Sequence, residues 1–398
     1  MQPAPGTPLA ILAALLAVAP LSRASEPPPE AVLAELPFEA GESNRVIIDL
    51  APEGSAKPFP LFLDTGADWS VLTPRMARDL GVKVRRLKND PYRRETRLGR
   101  DLQFWIDDRS SDTASKTGWE YGLLGGQFLA EYVLEIDFPA RRVRFLDRRR
   151  YEVPEQTDAP DEAVLPVKLV SNRPAVEIGV EGRPILVMLD TGAPPTAIFS
   201  AKALRKAGVA WQPVVELEGG SVLGPMDLEL VELAELRIGP FAFGPGAPIL
   251  VAPRGWYNIG IESESVIGYD LLAPFVVRLD YPRRRLWLRR AREAPITLYG
   301  ADYAAARRSG VLLDRRQDLY HAEFVFPGSN AERRGLRSGD AIESVAGEAG
   351  PPGEDAIARA IAEGREIAVR RRVGGDWQPV TLGGAEPAAP AVDAPGED

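Results

Sequence analysis

Short apolar runs separated by turn residues follow one another along most of the chain. The first three are AVLAELPF, RVIIDL and PLFLDTG. Runs of this length between turn residues are typical of β-strands, so the pattern predicts an antiparallel, β-rich protein. Two short helices are also predicted, each from a Ser or Thr N-cap and a closing Gly, and the first also from a Pro at its first helical position. They cover MARDLGV, with the signals Thr73, Pro74 and Gly81, and AKALRKAGV, with the signals Ser200 and Gly208.

One of these runs ends in a tripeptide that occurs again later in the chain. PLFLDTG ends in Asp64-Thr65-Gly66, and VMLDTG ends in Asp190-Thr191-Gly192. In each copy an apolar strand leads a carboxylate into a tight turn. An ionised carboxylate beside a buried strand is costly, so it needs a partner, hydrogen bonds or a proton. The repetition suggests that each turn is the partner of the other.

A second pair of matching blocks extends the repeat. LLGGQFLAEYVLEIDFPARRVRFL, from Leu123, matches VIGYDLLAPFVVRLDYPRRRLWL, from Val266, at an offset of 143 positions (280 minus 137 for the aspartates). We therefore expect two homologous lobes, residues 31–150 and 162–292, joined by an acidic segment that contains proline. A differently patterned block, residues 300–384, follows them, and the tail at 385–398 has the Ala-, Pro- and acid-rich composition of a disordered segment.

The amino-acid composition limits which catalytic mechanisms and partners are possible. The chain is 45% hydrophobic and 26% charged, as in ordinary globular proteins, and its net charge of -9 argues against nucleic acid as a partner. It has no cysteine and a single histidine, His321, so thiol catalysis is excluded and a Ser-His-Asp triad would have to use that residue. A zinc site would consist almost entirely of carboxylates, which zinc seldom uses. We expect no metal and no cofactor, and a hydrolase of this composition would work with carboxylates alone.

The N-terminal apolar segment has the features of a signal peptide. LAILAALLAVAPL, residues 9–21, is short for a membrane span and is followed by Ser22-Arg23-Ala24, a small-x-small cleavage pattern. The pattern predicts a signal peptide over residues 1–24 and an exported protein, either periplasmic or secreted. No Lys or Arg precedes the apolar run. The alternative is therefore a chain that stays anchored by an uncleaved N-terminal segment.

The two lobes resemble those of a retropepsin-like aspartic protease, in which two Asp-Thr-Gly turns meet at an axis. The resemblance is carried by the stretch 63–68, LDTGAD, and by two apolar-apolar-Gly blocks, Leu123-Leu124-Gly125 and Val266-Ile267-Gly268. It implies a mainly β, bilobal fold and an endopeptidase that acts on polypeptides. Two adjacent carboxylates share one proton, so the pair can activate a water molecule and protonate the leaving amine without a covalent intermediate. The implied catalytic residues are Asp64 and Asp190, and the dyad does not reveal which of them is the base.

The resemblance also implies supporting and substrate-binding residues. Thr65 and Thr191 are expected to bond across the axis, and the glycines after them allow a tight turn. The hydroxyls of Ser70 and Thr196, which follow the two turns, would bond either to the dyad or within their own turns. Substrate contacts are expected from the loops and from two glycine-bearing flaps, although these flaps can also be ordinary surface hairpins. The second loop departs from the first, since Pro194-Pro195 replaces Asp68-Trp69. The full set comprises Thr65, Gly66, Ser70, Thr191, Gly192 and Thr196 as dyad support, and Ala67, Asp68, Ala193, Gly99 and Gly220 as substrate contacts.

The block at residues 300–384 resembles a PDZ domain. The carrying residues are Gly310-Val311-Leu312-Leu313 and the stretch 328–340, GSNAERRGLRSGD. The resemblance implies that the four residues from Gly310 bind an extended peptide or a peptide C-terminus by strand addition. Asp314 follows directly and would repel a carboxylate. The alternative is a packing module that rigidifies the protease, with His321 in a structural role on a strand.

Two functions of different classes remain open. The first is an aspartic endopeptidase with a separable PDZ domain. The second is a non-catalytic peptide-binding protein of the same fold that keeps both grooves but has lost turnover. Both aspartates are present, which favours the enzyme. A monomer is expected in either case.

Overall fold

The protein is mainly β, and this predicted fold class is confirmed by the computed structural model. The structure describes residues 26–40, 44–50, 58–79, 91–95, 101–106, 122–221, 224–253, 265–291, 296–316, 318–348, 350–373 and 375–383. The predicted signal peptide at 1–24 and the predicted tail at 385–398 lie outside these residues. Among the described helices, none is both long enough and apolar enough to span a bilayer.

The first lobe contains nine described strands and two short helices, after a 3₁₀ turn at Pro29–Ala31. The strands are β1 (Val32–Ala40), β2 (Val46–Leu50), β3 (Phe59–Leu63), β4 (Ser70–Leu72), β5 (Pro91–Glu95), β6 (Asp101–Ile106), β7 (Gly122–Leu124), β8 (Val133–Asp137) and β9 (Arg142–Leu146). The helices are α1 (Pro74–Asp79) and α2 (Gly126–Leu129).

The second lobe repeats this plan with additional strands. The strands are β10 (Glu162–Pro166), β11 (Lys168–Val170), β12 (Arg173–Val180), β13 (Arg183–Leu189), β14 (Ala197–Ser200), β15 (Pro213–Ser221), β16 (Gly224–Leu233), β17 (Leu236–Ile238), β18 (Phe241–Phe243), β19 (Ala247–Ala252), β20 (Val266–Ile267), β21 (Phe275–Asp280) and β22 (Arg285–Arg290). The helices are α3 (Ala201–Ala207) and α4 (Tyr269–Leu272).

The two predicted helices form where their boundary signals lie. Thr73 caps α1, since its hydroxyl accepts from the N–H of Met76 (3.2 Å). Ser200 caps α3 in the same way, accepting from the N–H of Ala203 (3.1 Å), and Gly208 ends that helix at φ 73. Each cap satisfies an N–H that the first helical turn leaves without a partner. Gly81, the predicted end of the first helix, lies outside the described residues.

Both lobes connect their central strands in the same way. In lobe 1, β3 runs parallel to β7, β7 antiparallel to β4, and β4 parallel to β6. In lobe 2, β13 runs parallel to β20, β20 antiparallel to β14, and β14 parallel to β19. The repeat in the sequence is therefore a repeat in topology, and each Asp-Thr-Gly turn follows the same strand of its lobe.

One sheet is shared between the lobes and joins them. Its strand order is β10-β22-β21-β8-β9-β1, and the two lobes meet where β21 pairs with β8. Arg278 of lobe 2 lies opposite Glu135 of lobe 1, and its Nε is 2.6 Å from Oε2 of that glutamate. Both side chains are almost fully buried, and the guanidinium of Arg278 also stacks on the ring of Trp287 at 4.1 Å. The lobes thus share a buried ion pair as well as backbone hydrogen bonds.

The C-terminal block begins with a two-stranded hairpin and continues as a five-stranded antiparallel sheet. The hairpin is β23 (Thr297–Leu298) and β24 (Ala301–Asp302), and the sheet is β25 (Val311–Arg316), β26 (Leu319–Val325), β27 (Ala341–Val345), β28 (Ile367–Val373) and β29 (Asp376–Leu382) in that order. The helices are α5 (Tyr303–Ser309), α6 (Asn330–Arg333) and α7 (Glu354–Glu363). As its spacing predicts, α7 buries Ile357 and Ile361.

The C-terminal block has a core of its own and a second apolar face that packs on lobe 2. Its own core includes Val311, Leu313 and the buried side of α7. Leu312 and Phe324 instead belong to a cluster that contains Leu230 of β16. Because these side chains are almost completely buried, the block covers an apolar surface of lobe 2.

Candidate active site

The two Asp-Thr-Gly turns are placed by the parallel strand that runs beside each of them. The N–H of Asp64 donates to the carbonyl of Leu124 at the end of β7 (2.9 Å). In lobe 2, the N–H of Asp190 donates to the carbonyl of Ile267 at the end of β20 (3.0 Å). Each aspartate is therefore held at the end of a buried strand by the apolar-apolar-Gly block of its own lobe.

The hydroxyls of Thr65 and Thr191 make four hydrogen bonds across the boundary between the lobes. The hydroxyl of Thr65 donates to the carbonyl of Leu189 (2.7 Å) and accepts from the N–H of Thr191 (3.1 Å). The hydroxyl of Thr191 donates to the carbonyl of Leu63 (2.6 Å) and accepts from the N–H of Thr65 (3.1 Å). Both threonines are completely buried. The bonds hold the two turns face to face.

The glycines of the two turns let the carboxyl groups approach each other. The N–H of Gly66 donates to Oδ1 of Asp64, and that of Gly192 donates to Oδ1 of Asp190, both at 2.8 Å. A β-carbon on Gly66 would lie 2.4 Å from Cγ of Asp190, and one on Gly192 would lie 2.8 Å from Cγ of Asp64. Each glycine therefore lies against the carboxyl of the opposite lobe. No other residue would fit at these positions without moving the pair apart.

The two carboxyl groups hydrogen-bond to each other, and burial changes their acidity. Burial raises the pKa of Asp64 well above its usual range, and the neighbouring charge of Asp190 raises it further. Burial also raises the pKa of Asp190, whereas the N–H of Gly192 and the guanidinium of Arg45 lower it. Two adjacent carboxylates that are withdrawn from water retain one proton between them. The pair thus has one group able to accept a proton and one able to donate a proton.

The hydroxyls of Ser70 and Thr196 fasten neighbouring segments to the two loops. Ser70 accepts a hydrogen bond from the N–H of Gly125 (3.1 Å), which holds the apolar-apolar-Gly block of lobe 1 in place. Thr196 donates to the carbonyl of Thr297 (2.9 Å), which belongs to the C-terminal hairpin. Sequence reasoning placed these bonds either on the dyad or within the local turn. The partner of Thr196 is 101 residues away, so no local pattern identifies it.

Asp68, an expected substrate contact, makes bonds between the lobes. Its Oδ1 accepts from the N–H of Asn172 (3.1 Å), and its Oδ2 lies 3.2 Å from Nε of Arg173. The neighbouring expected contacts, Ala67 and Ala193, use their carbonyls to accept from the N–H groups of residues 126 and 269. The carboxylate of Asp68 is therefore engaged at the junction of the lobes.

A third repeat, which sequence reasoning missed, supplies the partners of Asp68. Ser43-Asn44-Arg45 of lobe 1 returns as Ser171-Asn172-Arg173 of lobe 2 at an offset of 128 (173 minus 45). This repeat is only three residues long, and it becomes visible only when the sequences of the two lobes are aligned. In lobe 2 the position of Asp68 is taken by Pro194, so the two junctions are not equivalent.

Of the two expected flap glycines, Gly220 lies within the described part of the chain. It pairs with Pro225 near the turn of the β15–β16 hairpin. Gly99 lies outside the described residues.

The four expected peptide-binding residues of the C-terminal block are buried. Gly310 ends α5 at φ 84, and its carbonyl accepts from the N–H of Phe326 (2.9 Å). Val311 and Leu313 face the core of the block, and Leu312 faces lobe 2. These side chains therefore contribute to packing.

Comparisons with known proteins find structural similarity only. No family model matches the chain, and no curated protein matches it. Among solved structures, the chain is similar to basic 7S globulin from soybean at 11% identity and a TM-score of 0.35, over 64% of this chain and 94% of that one. It is also similar to a retropepsin-like aspartic protease from Rickettsia conorii at 18% identity and a TM-score of 0.23, over 32% of this chain and 89% of that one.

Proposed function

We propose that the protein is a single-chain aspartic endopeptidase that hydrolyses peptide bonds with water activated between Asp64 and Asp190. The observation that supports this most strongly is the pairing of the two turns. The hydroxyls of Thr65 and Thr191 make four hydrogen bonds between the lobes, two to each other's N–H and two to the carbonyls of Leu189 and Leu63, and these hold the carboxyl groups against each other. Each carboxyl group also has a glycine of the opposite lobe beside it. A pair of carboxyl groups that shares one proton supplies a general base and a general acid in one site.

The chemistry follows from the electrostatics of the pair. Burial and the charge of Asp190 raise the pKa of Asp64 well above its usual range, whereas the N–H of Gly192 and, more weakly, Arg45 oppose the rise at Asp190, so we assign the shared proton of the free enzyme to Asp64. Asp190 then accepts a proton from water as its oxygen attacks the carbonyl carbon, while Asp64 donates a hydrogen bond to the carbonyl oxygen. The tetrahedral intermediate breaks down when Asp190 passes that proton to the leaving amine, the C–N bond breaks and the C=O bond re-forms, which restores the singly protonated pair. Activity is expected to fall on both sides of an optimum, as the pair gains a second proton or loses its only one.

The test is to incubate the purified chain with a complex peptide library from acidic to neutral pH and to read the products by mass spectrometry. The proposal expects internal cleavage, and in H₂¹⁸O each new carboxyl terminus should carry one heavy oxygen from solvent. Peptides that are retained by the protein but never cut would instead support a peptide-binding protein of this fold.

We also propose that the chain is exported by its N-terminal segment, residues 1–24, which lies outside the described residues. The supporting observation is the small-x-small pattern Ser22-Arg23-Ala24 after the apolar run. N-terminal sequencing of the exported protein should find a mature terminus at or near Ser25. An intact Met1 in a membrane fraction would support the anchored alternative.

For the C-terminal block we propose a packing role on lobe 2. Leu312 and Phe324 are buried in a cluster that contains Leu230 of lobe 2. Strand addition of a peptide at the edge of β25 is tested separately by measuring the affinity of the chain for a library of peptide C-termini.

A further inference from the structure

Lobe 2 has a buried carboxylate where lobe 1 has an amide. Asp270 lies 143 positions after Gln127 (270 minus 127), in the second pair of matching blocks. It belongs to the first turn of α4 and is 5% exposed. Its backbone N–H donates to the carbonyl of Pro194 (3.3 Å). Asp270 is therefore fastened to the loop at residues 190–196, which we call the Asp190 loop.

The side chain of Asp270 accepts hydrogen bonds from two other parts of the chain. Its Oδ1 accepts from Nδ2 of Asn44 in lobe 1 (3.1 Å). The same oxygen accepts from Oγ1 of Thr297 (3.0 Å) and from the N–H of Gly300 (3.1 Å). Thr297 and Gly300 belong to residues 296–302, which lead into the C-terminal block and which we call the connector. One carboxylate thus joins lobe 1, lobe 2 and the connector.

The connector also touches the Asp190 loop directly. The hydroxyl of Thr196 in that loop donates to the carbonyl of Thr297 (2.9 Å). At Gly300, where φ is 81, a β-carbon would lie 2.4 Å from Nδ2 of Asn44. A residue with a side chain at this position would therefore separate the connector from lobe 1. The close approach shows that the connector is packed tightly between the two lobes.

The burial of Asp270 makes these donors necessary. Burial raises the pKa of Asp270 to about 7, and the hydrogen bonds from Thr297, Gly300 and Asn44 oppose that rise. A buried carboxylate is stable only where donors compensate for the water it has lost. The position of Asp270 against Pro194 consequently depends on the connector.

The corresponding tie in lobe 1 does not involve the C-terminal block. There, Asp68 supplies the carboxylate, and Asn172 and Arg173 of the opposite lobe supply the donors. In lobe 2, Pro194 stands at the position of Asp68, and Asp270 supplies the carboxylate instead. The two loops are thus held by different means: among the described contacts, the connector donates to Asp270 and accepts a hydrogen bond from Thr196 of the Asp190 loop.

The connector continues into a helix that is bonded to the flap candidate of lobe 2. In α5, the hydroxyl of Tyr303 donates to Oε1 of Glu232 (2.7 Å), and Nε of Arg307 lies 3.0 Å from the same oxygen. Glu232 belongs to β16, the second strand of the β15–β16 hairpin. The C-terminal block therefore contacts both the Asp190 loop and the second strand of the β15–β16 hairpin.

We propose that Asp270 is a positioning residue through which the C-terminal block holds the Asp190 loop in its working geometry. The inference rests on the proposed protease function. It assigns the C-terminal block a part in the turnover of even short peptides.

The test uses the full-length chain and substitutions that touch neither the dyad nor the substrate. Thr297→Val removes one hydroxyl at nearly constant shape, and Asp270→Ala removes the acceptor of the bonds from Asn44, Thr297 and Gly300. Thr157→Val is the matched control, since the hydroxyl of Thr157 donates to Glu162 (2.9 Å) away from the site. The measurements are kcat and KM on a short peptide, with the number of working sites titrated by a transition-state mimic of the hydrated peptide bond.

Thr297→Val should lower kcat about ten-fold, the effect of one lost hydrogen bond, and Asp270→Ala at least as much, with KM and the number of titratable sites unchanged. The double variant should be no slower than Asp270→Ala alone, because both changes break the contact between Thr297 and Asp270. Thr157→Val should match the wild type.

Wild-type kcat in both single variants would overturn the inference. It would also be overturned by a loss of rate that follows the loss of titratable sites, since that pattern means damaged folding, or by fully additive losses in the double variant. An active wild type with any of these results leaves the proposed function intact. A wild type that neither cleaves peptides nor binds the mimic removes the proposed function and this inference together.

Discussion

Gly66 of lobe 1 lies against the carboxyl group of Asp190 in lobe 2, so closely that a β-carbon would come within 2.4 Å of Cγ. The relationship is reciprocal, since Gly192 lies against Asp64. The geometry of the dyad therefore depends on the absence of two side chains as much as on the presence of two carboxylates.

Gly66→Ala should nearly abolish turnover, because the added methyl group must displace the carboxyl of Asp190 or the turn that carries Asp64. Gly353→Ala is the matched control, since a β-carbon there meets no atom within 4 Å. The measurement is kcat/KM, with a thermal melt of each variant. Equal activity in the two variants would mean that the turns are not held as close together as the structure has them.

Glu135→Gln should destabilise the protein by about 3–5 kcal/mol, because it removes the buried negative charge that pairs with both Arg278 and Arg144. Glu131→Gln is the control. Glu131 pairs with Arg148 at 3.2 Å, but its side chain is 46% exposed, and exposed pairs contribute about 0–1 kcal/mol. Chemical denaturation of the two variants measures the difference. Similar losses in both would show that the shared sheet does not exclude water from the Arg278–Glu135 pair.

The pKa of Asp270 predicts a pH-dependent stability. Burial raises this pKa from the ordinary aspartate value of 3.8 to about 7 in the folded protein. Between those values the folded chain holds a proton that the unfolded chain releases, so the contribution of Asp270 to stability falls as pH rises from about 4 to about 7. The change is roughly 4 kcal/mol over that window.

Asp270→Asn does not titrate, so the melting temperature of the variant relative to the wild type should rise as pH increases from about 4 to about 8. Melting curves of both proteins at several pH values in this range provide the comparison. A difference that stays constant with pH would mean that Asp270 keeps an ordinary pKa in the folded chain.

Much of the fold follows from patterns that can be read locally or by alignment of the lobes. The strand before each Asp-Thr-Gly turn, the caps Thr73 and Ser200 and the burial of α7 all depend on residues a few positions apart. The bilobal plan follows from the repeat. These features were predictable because short-range periodicity and capping reflect the same burial and hydrogen-bonding requirements that operate in the folded chain.

The part of the site that the sequence does not predict consists of contacts between distant segments. Asn44 and Asp270 are 226 residues apart, and Thr196 finds its acceptor 101 residues later. Neither contact leaves a local pattern, because any donor that the fold brings near can satisfy a buried acceptor. For the same reason the sequence does not predict that the carboxylate of Asp68 bonds to Asn172 and Arg173 of lobe 2.

The packing of the C-terminal block changes the result expected of a truncation. A separable PDZ domain would leave short-peptide cleavage intact when it is removed. In the structure, removal after residue 291 would expose Leu230 and Leu250, which are completely buried, and would leave Asp270 without the donors of Thr297 and Gly300. The truncated chain should therefore lose most or all of its activity on short peptides and should aggregate more readily. Short-peptide kinetics with light scattering tests this, and a monodisperse, fully active truncation would restore the separable-domain interpretation.

The central claim is that Asp64 and Asp190 form one site. Asp64→Asn and Asp190→Asn should each fold, because an amide fits the same polar turn and relieves the repulsion between two buried carboxyls. Neither variant retains both a general base and a general acid. The most direct measurement is kcat of each single variant on the peptide that the wild type cleaves best. Both should fall by at least about 10³-fold, far beyond the ten-fold effect of an ordinary hydrogen bond. Near-normal turnover in either variant would contradict the claim, because the two turns would then not act on the same substrate bond.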